Sequence, residues 1–268
     1  MKAPIALTIA GSDSGGGAGI QADLKTFAML GVHGTSAVTA VTVQNTVGVS
    51  DVLEMPIALI QAQIASVVED FEVDAAKTGM LSSSAIIDSV AAAVERHRLS
   101  KLVVDPVMVA KGGAKLLHDD AVEALREYLL PLAAVVTPNL PEAEVLLGRR
   151  IRTLDDRRRA ARELVTMGAR TAVVKGGHAE GDVTDVFWDG SRLVELGGER
   201  IPTANTHGSG CVFSAAITAG LAKGADTLEA VVEAKRFVTQ AIAASLEIGH
   251  GHGPVNPMFG LTAGRVDS

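Results

Sequence analysis

The feature that most constrains the fold is an alternation. Short runs of β-branched and small apolar residues are followed repeatedly by longer stretches with helical spacing. Residues 5–10 read as a strand, after which Ile20, Leu24, Phe27 and Leu30 fall on one helical face. Segments 35–43, 74–78, 102–105, 133–137 and 171–175 read as further strands. Helices are expected over 57–70, 85–97, 119–130 and 155–167, and near the C-terminus over 210–221 and 228–246. Segments 183–188 and 192–196 flank Asp189-Gly190, a strong short-range hairpin signal. Strands that are apolar throughout, alternating with helices, imply an α/β fold: a mostly parallel sheet with helices on both faces.

No linker, repeat or low-complexity stretch divides the 268 residues, so a single domain over 1–268 is the economical reading. The composition, 47% apolar and 21% charged, suits a globular chain rather than a disordered one. The net charge of −7 argues against a nucleic-acid partner. The longest apolar stretch, 129–136, contains a proline and falls far short of the roughly 18–20 residues a membrane span requires. The apolar N-terminal run 4–10 leads into a glycine-rich turn and reads as a buried strand rather than a signal peptide. Cys211 is the only cysteine; this excludes an internal disulfide and fits a cytoplasmic protein.

In sheets of this type, ligands bind beyond the carboxyl ends of the strands. The first such end carries Gly11-Ser12-Asp13-Ser14-Gly15-Gly16-Gly17-Ala18-Gly19, where backbone can approach a ligand closely. Its spacing is neither that of a dinucleotide fingerprint nor that of a Walker-type loop, since no Gly-Lys dipeptide occurs. Gln44-Asn45-Thr46 follows the second strand; a glutamine there can read a heterocycle edge, although taken alone a plain turn is the more ordinary explanation. Asp105 ends a buried strand, so its carboxylate must be paired, metal-bound or near solvent. Asn139 and Glu142 can share the first turn of a helix. Lys175-Gly176-Gly177-His178 puts an ammonium where a phosphate could use it. Asn205-Thr206-His207-Gly208-Ser209-Gly210-Cys211 opens a helix of small apolar residues. Glycines at a helix N-terminus expose N–H groups to an anion, and the same positive end favours a thiolate at Cys211. His207 reads as a structural hydrogen-bonder. The arginine-rich stretch from Arg149 to Arg162 has seven arginines and reads as a solvated helix face.

Taken together, these blocks resemble the hydroxymethylpyrimidine/phosphomethylpyrimidine kinases of thiamine biosynthesis, within the ribokinase-like superfamily. The resemblance runs nearly end to end and includes Lys77-Thr78-Gly79-Met80, Asp105-Pro106-Val107-Met108 and Gly249-His250-Gly251-His252-Gly253-Pro254. It implies a ribokinase-like three-layer fold and ATP-dependent phosphorylation of 4-amino-5-hydroxymethyl-2-methylpyrimidine, then of its monophosphate. By the same resemblance Gln44 and Asp23 hold the pyrimidine, Gly11 and Ala18 line it, and Met80 and Val107 lie on its faces. Asn139, Lys175, Thr206 and Asp105 serve ATP, and Glu142 serves Mg2+. Gly208 and Gly210 form an anion hole, and Cys211 acts as base. A homodimer is implied too. Two positions depart from the commoner pattern: Ser209 stands where threonine is usual, and Ser14-Gly15 where Pro-Ser is usual. The rival readings are a pyridoxal kinase with a different ring pocket and a non-catalytic pyrimidine-binding regulator.

Overall fold

The computed structural model describes residues 3–109, 113, 116–118, 120–177 and 183–262. His178 and Asp119, which figure in the readings above, lie outside them. A nine-stranded sheet runs through the described residues in the order β3-β2-β1-β4-β5-β6-β7-β8-β9. Its strands are β1 (Ile5–Asp13), β2 (His33–Gln44), β3 (Val49–Glu54), β4 (Ala75–Thr78), β5 (Leu102–Val104), β6 (Ala133–Val136), β7 (Ala172–Val174), β8 (Asp185–Trp188) and β9 (Leu193–Leu196). Strands β1, β2 and β4 to β7 are parallel, and β3, β8 and β9 add antiparallel ribbons at the two edges. The expected Asp189-Gly190 hairpin joins β8 to β9.

Alternate residues of each central strand feed opposite cores. Leu7, Ile9, Val104, Val136 and Val174 pack on one face. Ala6, Val103, Val135 and Val173 pack on the other. This explains why the strands are apolar at every position. The first face is covered by α2 (Ile57–Asp70), α3 (Ser84–Arg96), α4 (121–132), α5 (Leu140–Leu147) and α6 (Leu154–Thr166). The second is covered by α1 (Gly19–Met29), α7 (Ser209–Ala222) and α8 (Thr227–Ala243). Helix α7 is buried along almost its whole length, as its run of small and apolar residues requires.

Three elements differ from expectation. β3 is exposed at nearly every residue, so it has no apolar run to mark it. The helix expected to 130 continues to 132; it widens at Leu125–Leu129 and tightens at Leu130–Leu132, where Pro131 has no N–H to donate. A helix begins directly after Asn139, where only a shared first turn was foreseen. The arginine-rich stretch is bound locally. Arg149 pairs with Glu163 and Arg150 with Glu144, both at 2.9 Å, Arg158 with Glu195 and Asp155, and Arg159 with Asp156. Arg162 lies over the Trp188 ring at 5.1 Å.

Candidate active site

The strand order reverses direction between β1 and β4, and that switch point is where such sheets leave a crevice. The carboxyl ends of β1, β2, β4, β5, β6 and β7 deliver Gly11, Gln44, Met80, Asp105, Asn139 and Lys175 to this one rim. The N-terminus of α7 meets the rim from the second face.

On the β5–β7 side of the rim, the Lys175 ammonium lies 3.2 Å from Asp105 Oδ1, and Ser214 Oγ donates to Asp105 Oδ2 at 3.1 Å. Thr137 Oγ1 donates to Asp105 Oδ1 at 3.4 Å. A Cβ added at Gly210 would sit 3.3 Å from Lys175 Nζ, so the α7 backbone faces the ammonium directly. Asn139 and Glu142 form a reciprocal cap on α5. The Glu142 N–H donates to Asn139 Oδ1 at 2.9 Å, and the Asn139 N–H donates to Glu142 Oε2 at 2.7 Å. Burial pushes the Glu142 carboxyl up to about 7 against the pull of Lys175. Burial opposes the Lys175 charge, and the Asp105 and Glu142 carboxylates outweigh it and hold the ammonium protonated.

On the β1–β2 side of the rim, the glycine-rich loop folds around Asp13. Its carboxylate accepts from the Gly15, Gly17 and Ala18 N–H groups at 2.8–3.0 Å and contacts His207 Nε2 at 2.9 Å. Burial works to raise the Asp13 carboxyl, and His207 with these N–H groups holds it below its usual range. His207 is therefore the structural hydrogen-bonder the sequence suggests. It also lies 3.4 Å from Gln44 Nε2, while Gln44 Oε1 accepts from Thr42 Oγ1 at 3.0 Å. Gly11 lies against Met80, whose sulfur would be 3.2 Å from a Cβ there. Val107 and Thr206 are partly buried at the same rim.

The two sides meet where the α7 start abuts the first loop. A Cβ at Gly208 would lie 1.8 Å from the Gly17 carbonyl oxygen, and Gly208 has φ +79°. Only glycine fits at that junction.

Two expectations are corrected. Asp23 does not face the crevice. It is fully buried, with Oδ1 2.7 Å from the Lys77 ammonium and Oδ2 accepting from Thr8 Oγ1 at 2.7 Å. Its carboxylate lies beneath the crevice as the counter-ion of a lysine. Cys211 is not biased toward thiolate. Burial pushes its thiol up to about 12, Lys77 pulls it down, and Asp23 and Asp105 push it up again. Desolvation and nearby carboxylates outweigh the helix N-terminus.

Sequence reasoning left Lys77 without a role, although a signal was present. A lysine inside the fully buried strand β4 must have an anionic partner. That partner is Asp23. Burial works against the Lys77 charge, and Asp23 overrides it.

Comparison with known proteins gives the family. The phosphomethylpyrimidine kinase family profile matches residues 13–256. The hydroxymethylpyrimidine/phosphomethylpyrimidine kinase of Bacillus subtilis is 51% identical over 253 residues, 94% of this chain and 93% of that one. The thiamine biosynthesis bifunctional protein ThiED of Geobacter sulfurreducens is 51% identical over 251 residues. That match covers 93% of this chain and 51% of the larger protein, so the chain spans about half its length. Among solved structures, the pyridoxal kinase of Staphylococcus aureus in complex with AMP-PCP and pyridoxal superposes with a TM-score of 0.90 at 36% identity, covering 100% of this chain and 97% of that one. The fold is accordingly ribokinase-like. The chain belongs to the phosphomethylpyrimidine kinase family.

Proposed function

We propose that the protein transfers the γ-phosphoryl group of ATP to the hydroxymethyl group of 4-amino-5-hydroxymethyl-2-methylpyrimidine, and then to the monophosphate so formed. The observation that carries this reading is the convergence at one sheet rim. Gln44 lies at one end of the crevice, Lys175 and the Gly208–Gly210 backbone at the other, and Cys211 between them. Phosphoryl transfer asks a protein mainly for positioning and charge stabilisation. Gln44 offers the paired donor and acceptor that an aminopyrimidine edge requires, with Gly11, Ala18, Met80 and Val107 enclosing the ring. The α7 N–H groups, with Lys175, Thr206 and Asn139, hold the phosphates. The thiolate form of Cys211 receives the proton of the alcohol.

A magnesium ion belongs to this reading. Among the described residues no three acidic, histidine or cysteine side chains gather to hold a metal unaided. Magnesium bound to a nucleotide needs only one or two carboxylates besides phosphates and water, and the buried Glu142–Asp105 pair fits that requirement. Bound there, the ion would neutralise charge on the phosphates. Glu142→Gln is expected to raise the magnesium concentration for half-maximal rate while leaving pyrimidine affinity unchanged. A normal magnesium titration at normal turnover would reduce Glu142 to a helix cap. A homodimer belongs to the reading on the resemblance alone, a cytoplasmic home on the lone cysteine, and one kinase domain over the whole chain on its undivided sequence.

The test is ATP turnover with hydroxymethylpyrimidine, with pyridoxal, and with neither. The expected result is ADP formation that depends on the pyrimidine. Dependence on pyridoxal alone would favour the pyridoxal kinase reading, and binding without turnover the regulator. In the same assay series, Gln44→Ala is expected to lose about 1–3 kcal/mol of pyrimidine binding by calorimetry, the cost of stranding buried polar partners. ATP binding is expected to hold. An unchanged pyrimidine affinity would remove Gln44 from the ring pocket.

A further inference from the structure

The block 249–254, Gly-His-Gly-His-Gly-Pro, has no part in the chemistry above, yet it touches both halves of the site. On one side it holds Thr46, two residues beyond Gln44. The Thr46 hydroxyl oxygen accepts from the His250 and Gly251 N–H groups at 3.2 and 3.3 Å, and the Thr46 carbonyl accepts from the His252 N–H at 2.8 Å. On the other side it holds the loop that leads into Gly208. The Gly253 N–H donates to Asn205 Oδ1 at 3.0 Å. The His207 N–H donates to the Gly253 carbonyl at 3.2 Å, and the Val255 N–H donates to the His207 carbonyl at 3.0 Å.

The spacing of the glycines follows from how closely the segment runs. A Cβ at Gly249 would lie 2.2 Å from Thr46 Oγ1, and one at Gly251 2.1 Å from the Thr46 carbonyl oxygen. A Cβ at Gly253 would meet the Leu246 carbonyl at 2.3 Å and Asn205 Oδ1 at 2.7 Å. None of these three positions can carry a side chain without moving backbone or breaking a hydrogen bond. Between them, His250 and His252 are exposed.

We propose that residues 249–254 form a fixed strap, with Thr46 as its positioning residue, that sets the distance between the ring-reading end and the phosphate loop. This rests on the assignment of Gln44 and the α7 start to the two ends of the reaction. Gln44 itself reaches the phosphate loop in one 3.4 Å approach to His207, and Asp13 adds a 2.9 Å contact to the same ring, whereas the strap ties the two ends through five hydrogen bonds. In-line transfer tolerates little misplacement, since about 1 Å can cost on the order of a hundredfold in rate. Thr46 touches no reacting atom in this account and acts through the backbone it holds.

Thr46→Val keeps the shape and removes the hydroxyl acceptor; Thr46→Ser keeps the acceptor. In the ligand-free protein, Thr46→Val is expected to speed amide hydrogen exchange at 205–211 by about tenfold, because local opening sets that rate. Thr46→Ser is expected to exchange as the parent does. Asn205→Ala, which cuts the other end, is expected to speed exchange at 46–48 in the same way. Gly48→Ala, with open space around the added Cβ, serves as the neutral control in the same turn. In turnover, Thr46→Val is expected to lower kcat by at least about tenfold with little change in ADP affinity, and serine to restore it. Unchanged exchange at 205–211 in Thr46→Val would overturn the strap, and so would changed exchange with an unchanged kcat. The exchange measurement uses no substrate, so its failure counts against the strap alone. Failure of the parent protein to turn over the pyrimidine counts against the kinase reading alone.

Discussion

Cys211→Ala is expected to slow phosphorylation of the pyrimidine alcohol, by up to about 10²–10⁴-fold at high pH where the thiolate is populated, the usual worth of a positioned base. Phosphorylation of the monophosphate is expected to suffer far less. An alcohol must lose a proton when it attacks ATP. A phosphate monoester has a second pKa near ~6 and is already largely ionised at pH 7. Damage to the anion hole would slow both steps, because the Gly208–Gly210 backbone serves each of them. The two half-reactions, measured separately in the variant, decide the matter. Equal losses would leave Cys211 as packing.

The same residue sets a pH dependence with a definite sign. Burial pushes the free thiol up to about 12, so the thiolate is a small fraction throughout the working range. That fraction grows about tenfold for each pH unit below the pKa. For the parent protein, kcat/KM of the alcohol step should climb steadily from pH 6 to pH 10. The monophosphate step should level off once its phosphate is ionised. In Cys211→Ala the climb should vanish. A parent profile that flattens near neutrality, matched by the variant, would remove the thiol from the proton path.

Lys77→Met is expected to destabilise the fold by about 3–5 kcal/mol, the cost of leaving a buried charge without its partner. Whole domains are stable by only about 5–15 kcal/mol, so the loss is a large share of the total. Lys77 and Asp23 are both fully enclosed, and Thr8 is the remaining partner of the carboxylate. Adding Asp23→Asn to Lys77→Met removes the stranded charge and keeps an acceptor for Thr8. The double variant should recover the larger part of the loss in urea unfolding. It should not recover the alcohol step, because Lys77 draws the Cys211 thiol toward its charged form. A single variant as stable as the parent would show that water reaches Asp23.

Much of this was legible in the sequence because local rules and tertiary demands agree. The parallel strands announce themselves through β-branched runs buried on both faces. Gln44, Asp105, Asn139, Lys175 and Gly208 are legible because each follows a strand or starts a helix, where such a sheet keeps its crevice. Other features are set by pairing across long sequence distances, which no local pattern encodes. Asp23 lies just over one turn into α1 and reads as a crevice residue until Lys77 is seen beneath it. The thiol of Cys211 is governed by desolvation, and burial of a single atom cannot be read from a glycine pattern. Strand β3 owes its existence to hydrogen bonds with β2 rather than to an apolar face.

The contact between His207 and Asp13 joins residues 194 apart in the chain, and the strap reaches Thr46 from more than 200 residues away. The first strand is also interior to the sheet, with β2 and β4 on either side. Loop closure over such distances comes late, because its entropy is offset only after the intervening structure has formed. A growing polypeptide on the ribosome can therefore assemble much of the sheet while its nucleotide cradle is still unmade. Competence for phosphoryl transfer arrives with the last quarter of the chain, so C-terminal truncation products should be inert toward ATP rather than uncoupled hydrolases.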